Sequence, residues 1–244
     1  MEEIVLESSF ILHSRPYRET SMLVDFWGRS VGRFSAVVKG VNIVKGVKKA
    51  KSGWLGLLQP FIPLRVSALG RTDLKNMIHI EMYHLPYSLQ GRALFCGFYI
   101  NELITRALQK SFDPDPVLFE CYEQALMQLV SEKDMGRVLR HFECVLLKQL
   151  GYELVLSTDA LGAEIIPEKI YIYDHGVGFL PVESYDLQQR PMVCFSGAVL
   201  DAISSGHYVD AQVRVSAKRL LRLALLPYVG GREFESAQLF KSYA

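Results

Sequence analysis

The stretch Thr20-Ser21-Met22-Leu23-Val24-Asp25-Phe26-Trp27-Gly28-Arg29-Ser30-Val31-Gly32-Arg33-Phe34-Ser35-Ala36-Val37-Val38-Lys39 decides the fold class. Two runs rich in β-branched and aromatic residues, 20–27 and 33–39, flank a glycine-bounded turn at 28–32. Before them, residues 9–14 predict a strand joined through Arg15-Pro16-Tyr17. After them, residues 59–69 carry Pro60 and Pro63, as at a strand entrance, then alternate Leu64, Val66 and Ala68 with polar neighbours. Residues 74–83 predict a fifth strand. Five short strands in about 80 residues suit a small Greek-key barrel.

Past Pro86 the apolar period lengthens. Residues 89–110, 116–131 and 135–150 predict three helices packing as a bundle; in the last, Met135, Val138, Leu139, Phe142, Val145, Leu146 and Leu150 form one apolar stripe. Asp113-Pro114 and Asp115-Pro116 punctuate the second start, and Gly151 is a C-cap candidate. Residues 152–196 are irregular, with a hairpin expected at 169–181 around Asp174-His175-Gly176. Helical pattern returns at 197–203 and 213–226, and Gly230-Gly231 precedes a last helix at 236–243. The expected organisation is α+β and multidomain: a barrel at 1–84, a helical bundle at 85–151, and a mixed region at 152–244 whose closing helices pack on the bundle.

The chain has 244 residues, 50% hydrophobic and 22% charged, which excludes wholesale disorder. No apolar run reaches the roughly 18 residues a membrane span needs. The opening Met1-Glu2-Glu3-Ile4 is acidic and unlike a signal peptide, so a soluble cytoplasmic protein is expected. The net charge of +1 hides a division. Residues 1–85 hold 12 Lys/Arg against 7 Asp/Glu, residues 151–213 hold 2 against 9, and residues 214–244 hold 6 against 2. Over 28–80 there are ten basic residues and a single acid, Asp73. Separate surfaces with separate partners follow.

The basic excess centres on 39–53, which has Lys39, Lys45, Lys48, Lys49 and Lys51, three glycines and no acid. A cationic loop on a barrel gains by neutralising phosphates and releasing counterions. Arg29 and Arg33 on neighbouring strand ends join it as candidate DNA contacts, with Trp54, Trp27 and Phe34 for base stacking; the alternative is a solvated loop. A second basic stripe, Arg214, Lys218 and Arg222 with Arg219 alongside and Leu221 among its apolar neighbours, reads either as a solvated helix face or as a dock for an acidic peptide.

The catalytic search is negative: G-x-x-x-x-G-K-[ST], G-x-S-x-G, H-E-x-x-H and G-x-G-x-x-G are all missing. His79, Glu81 and His84 do not share a strand face, which argues against a ligand set. Cys96, Cys121, Cys144 and Cys194 lack C-x2-C spacing and sit in apolar runs, as buried thiols do. Asn101-Glu102 is a polar pair in an aromatic helix, either a buried hydrogen-bonded contact or a site.

Several stretches in order resemble the RecO family of bacterial recombination mediators. They are Phe10-Ile11-Leu12-His13-Ser14-Arg15-Pro16-Tyr17-Arg18-Glu19-Thr20-Ser21, Gly32-Arg33-Phe34-Ser35-Ala36-Val37-Val38-Lys39-Gly40, Leu58-Gln59-Pro60-Phe61, Phe98-Tyr99-Ile100-Asn101-Glu102-Leu103, Leu139-Arg140-His141-Phe142-Glu143, Leu150-Gly151-Tyr152 and Pro227-Tyr228-Val229-Gly230-Gly231. The resemblance implies an N-terminal OB-fold, a helical middle and a mixed C-terminal part. It implies a non-enzymatic protein of recombinational repair that binds single- and double-stranded DNA and anneals strands. It also implies loading of RecA onto strands coated by single-strand-binding protein (SSB), with RecR and the acidic SSB tail as partners and no small-molecule substrate or membrane. Such a protein is expected on the bacterial nucleoid. The SSB tail is assigned to Arg214, Lys218, Arg219, Arg222 and Leu221. Some members carry a four-Cys zinc site after Leu-Gly-Tyr; here Leu150-Gly151-Tyr152 runs into Glu153-Leu154-Val155-Leu156-Ser157-Thr158-Asp159, so no zinc and no other cofactor is expected. The competing class is an adaptor whose barrel binds protein alone.

Overall fold

Strands β1 (Glu2–Tyr17), β2 (Ser21–Gly28), β3 (Gly32–Val38), β4 (Leu64–Gly70) and β5 (Leu74–Met82) close into a barrel in the order β1-β2-β3-β5-β4. β1 seals it by pairing with both β2 and β4, and β3–β5 is the parallel contact. This is the strand order of an OB-fold. The computed structural model describes residues 2–41, 53–108, 113–131, 134–182 and 191–243.

A 16-residue strand with partners on both edges must coil, and β1 does so through register shifts at Ile4/Glu7 and Ile11/His13. At the first, the Leu6 amide leaves the ladder and donates to Ser67 Oγ at 3.0 Å. The interior is apolar, with Phe26 stacked on Phe34 at 5.2 Å among Ile11, Val24, Leu64, Val66 and Ile80. The β2–β3 turn is fixed by the buried Glu7 carboxylate, which accepts from Ser30 N at 2.6 Å and Ser30 Oγ at 2.9 Å. Gly28 keeps this arrangement undisturbed: a Cβ would lie 2.7 Å from Val31 and 2.8 Å from Glu7 Oε1, and one of those side chains would have to move.

Helices α1 (Gly91–Ala107), α2 (Pro116–Ser131), α3 (Met135–Gln149), α4 (Gly197–Ser204), α5 (Ala211–Val229) and α6 (Glu235–Tyr243) follow, with a sheet of β6 (Ile170–Asp174), β7 (Gly178–Val182) and β8 (Cys194–Ser196) in the order β7-β6-β8. The hairpin expected around Asp174-His175-Gly176 is the β6–β7 connection.

By contact the chain divides into two compact units, 1–133 with 232–244, and 134–231. These boundaries cut across the expected segments 1–84, 85–151 and 152–244. α1 and α2 belong with the barrel because its outer face is itself apolar. Phe10 meets Tyr122 at 5.0 Å, and Trp27 meets Phe119 and Tyr122 at 5.4 Å each, all four rings buried. α3 belongs to the other unit, where it packs on α5.

Asn101 holds the barrel to its helices. Its Nδ2 donates to Ile11 O at 3.3 Å and Leu12 O at 3.2 Å, the carbonyls at the second β1 bulge, while its Oδ1 accepts from Tyr122 OH at 2.7 Å. Glu102, one residue on, closes α6 onto α1. Its carboxylate accepts from the Glu235 and Ser236 amides at 2.9 and 3.0 Å and from Ser236 Oγ at 2.8 Å, capping the α6 N-terminus from a distant element. Arg106 donates to Arg232 O and Glu233 O at 2.8 Å each, with its guanidinium over Phe234. The polar pair Asn101-Glu102 is thus a pair of buried or partly buried structural ties. Removing the amide strands a buried hydroxyl and two bulge carbonyls. Asn101→Ala is expected to cost about 2–3 kcal/mol and Tyr122→Phe about 1 kcal/mol, read by urea unfolding followed through tryptophan fluorescence.

Candidate nucleic-acid interface

The strand-end cations do not form one group. Arg29 and Arg33 sit at the β2–β3 turn, whereas Lys39 follows the far end of β3, about 20 Å away along a strand rising ~3.3 Å per residue. Arg33 is buried rather than displayed. Its Nη1 donates to Thr105 O at 2.8 Å and to Leu108 O, so it satisfies the C-terminal carbonyls of α1. Burial lowers its pKa, partly offset by Asp25. Its assignment to DNA is corrected accordingly. Trp27 and Phe34, offered for stacking, are core residues too, packed outside and inside the barrel respectively.

Arg29 is exposed but ion-paired with Glu120 of α2. Glu123 lies nearby, its carboxyl pushed up by burial and pulled down by the Tyr83 hydroxyl and by Arg29. Burial in turn raises Tyr83 to about 12. The charge of Arg29 is thus already partly balanced by Glu120. Lys39 is exposed, and Trp54 is half-buried against the barrel core. Lys45, Lys48, Lys49 and Lys51 lie outside the described residues.

Around Lys39 the register gathers cations that strand-by-strand reading overlooks. Met22 pairs with both Pro16 and Val38, Tyr17 pairs with Ser21, and Val41 N donates to Thr20 O at 3.0 Å. Exposed Arg15 and Arg18 at the β1–β2 turn therefore share one barrel end with Lys39. Arg18, in the left-handed region at φ 55°, lays its guanidinium over the Tyr17 ring at 5.2 Å. The clue in sequence was Arg15-Pro16-Tyr17-Arg18, a basic and aromatic turn.

In the second unit, α5 carries the other stripe. Leu221 is fully buried in the α5 core face with Leu220 and Leu225, so it is withdrawn from any peptide pocket. Arg219 turns inward, donating to Cys194 O at 2.7 Å and lying 4.5 Å from the Phe195 ring centroid. Arg214 donates to Tyr208 O at 2.9 Å and to Val209 O. Lys218 and Arg222 remain outward, and the apolar ground beside them is Val215 and Leu226, 67% and 46% exposed.

Two family models match this chain. One described as Recombination protein O N terminal covers residues 1–85, and one described as Recombination protein O C terminal covers 88–237. The DNA repair protein RecO of Methylococcus capsulatus (strain Bath) is 38% identical over 240 residues, 98% of this chain and 94% of that protein. That of Pseudomonas aeruginosa (strain UCBPP-PA14) is 38% identical over 234 residues, covering 96% and 94%, and that of Haemophilus influenzae (strain 86-028NP) is 36% identical over 236 residues, covering 96% and 95%.

The chain belongs to the RecO family. It is thereby a member of a family of DNA repair and recombination proteins.

In this RecO chain, no group of three or more His, Cys, Asp or Glu is placed to hold a metal among the described residues. Cys121 and Cys194 are buried, Cys96 and Cys144 partly so, and burial pushes the thiols of Cys121 and Cys144 up to about 11 each. His79 pairs with Glu81 at 3.3 Å. Among the described residues no helix is long and apolar enough to cross a membrane. Because Arg33 caps a helix, Arg33→Met is expected to lower stability by about 1–3 kcal/mol while oligonucleotide affinity stays within about twofold, measured by urea unfolding and fluorescence anisotropy.

Proposed function

We propose that this protein is a non-enzymatic, cytoplasmic DNA-binding and strand-annealing mediator. In this reading it binds single- and double-stranded DNA, acts with RecR, and helps load RecA onto SSB-coated strands. The observation that carries it is the barrel end that displays Arg15, Arg18 and Lys39 against a single exposed acid of the β1–β2 turn, Glu19. From there the chain continues into a sequence with Lys45, Lys48, Lys49 and Lys51 and no acid. Cations on neighbouring turns neutralise successive phosphates, and the released counterions drive binding without reading bases. Trp54, beyond the basic stretch, is the stacking candidate. Arg29 contributes less, since Glu120 already holds it.

Replacing Arg18 and Lys39 with Glu is expected to weaken oligonucleotide binding by an order of magnitude or more at ~0.1 M salt, and to flatten the salt dependence by about 0.7 log unit per lost contact. Lys48→Glu with Lys49→Glu and Lys51→Glu should do the same. Unchanged affinity in both variants, together with failure to anneal complementary strands with or without SSB, would leave the barrel as a protein-binding adaptor.

For the SSB tail, the reading narrows to the outward face of α5. Lys218 and Arg222 supply the charges for an acidic peptide and Val215 and Leu226 the apolar ground. Lys218→Glu with Arg222→Glu should abolish binding of the tail peptide and leave annealing of naked strands intact. Equal loss of both would put the stripe in the DNA footprint.

A further inference from the structure

The second unit carries two turns side by side with no evident use in its core. The first spans residues 157–165. Ile165 N donates to Ser157 O at 3.0 Å and Asp159 N to Ala163 O at 2.8 Å, while the buried Asp159 carboxylate accepts from the Leu161 and Ala163 amides at 2.9 Å each. Those bonds set Leu161 and Gly162 at its apex, with Gly162 at φ 84°. The second is the β6–β7 turn, with Val177 at its tip and Val177 N bonded to Asp174 O at 3.2 Å. The first turn is seated on the second by Ala160 N donating to Phe179 O at 2.8 Å. Leu161 and Val177 are 78% and 55% exposed.

A lone exposed aliphatic residue needs no explanation, but here two are displayed on adjoining, internally bonded turns. Their surroundings are acidic. Glu153 is paired with Lys148 at 2.9 Å, but Glu164 and Asp174 flank the two tips in sequence and are exposed. Phosphates are repelled from such ground, whereas Lys or Arg side chains beside an aliphatic residue are attracted to it. We propose that Leu161 and Val177, flanked by Glu164 and Asp174, form a docking surface for a basic protein segment anchored by an aliphatic side chain. The backbone bonds of both turns prepay the ordering cost, so the apolar contact adds to affinity directly.

The test uses the full-length protein and a fluorescein-labelled probe peptide, Lys-Arg-Leu-Leu-Arg-Lys, blocked at its C-terminus. Anisotropy should show binding that weakens with salt. Leu161→Ser with Val177→Ser, and separately Glu164→Gln with Asp174→Asn, should each weaken it about tenfold, as should Leu→Ser changes in the probe. All four positions are exposed, so both variants should keep the wild-type unfolding midpoint and strand annealing. Three results overturn the proposal. The first is wild-type probe affinity in both variants, and the second is equal binding of the Leu→Ser probe, which would reduce the effect to bulk charge. The third is loss of a sedimenting self-association in the Leu161→Ser/Val177→Ser variant, which would make the occupant a second copy of this chain.

Discussion

Asn101 faces a problem that the barrel creates for itself. A strand that closes a five-stranded barrel on both edges has to bulge, and a bulge takes backbone carbonyls out of the ladder. At Ile11 and Leu12 those carbonyls point to where α1 lies, and the Asn101 amide reaches them while taking the Tyr122 hydroxyl on its other side. One side chain therefore joins β1, α1 and α2. Around it, Phe10, Trp27, Phe119 and Tyr122 bury the outer barrel face that a free-standing barrel would leave to water. A Cβ on Gly97 would lie 2.8 Å from the Phe61 ring, which shows how closely α1 is drawn in.

The same closeness decides which cations are free to act. Arg33 and Arg29 both lie at the barrel end that faces helices, and both have partners there: the last carbonyls of α1 for one, Glu120 for the other. At the opposite end the β1–β2 turn and the exit of β3 expose Arg15, Arg18 and Lys39. Cations that the sequence groups together are separated by the fold to opposite ends of the barrel. α5 repeats the pattern: Arg214 and Arg219 serve backbone carbonyls, while Lys218 and Arg222 stay in solvent.

The sequence by itself determined most of the strand and helix inventory, because period 2 between glycine and proline turns and period 3.6 after Pro86 are local properties. It missed the short β8 and the Glu2–Ser8 half of β1, which are held by pairing with β6 and β4. It also carried the family, through short motifs whose shared order spans nearly the whole chain. Tertiary structure alone decided the unit boundaries and the roles of individual polar residues. Arg33, Asn101 and Arg219 read as candidate surface groups or an ambiguous polar pair until the carbonyls they satisfy arrive from 75, 90 and 25 residues away, respectively. Leu221 and Lys218 are three residues apart on one helix, yet the fold buries the first and leaves the second in solvent. A side chain's chemistry is written in its residue type. Its partner is set by chain segments distant in sequence, and whether a charge binds DNA or caps a helix depends on that partner.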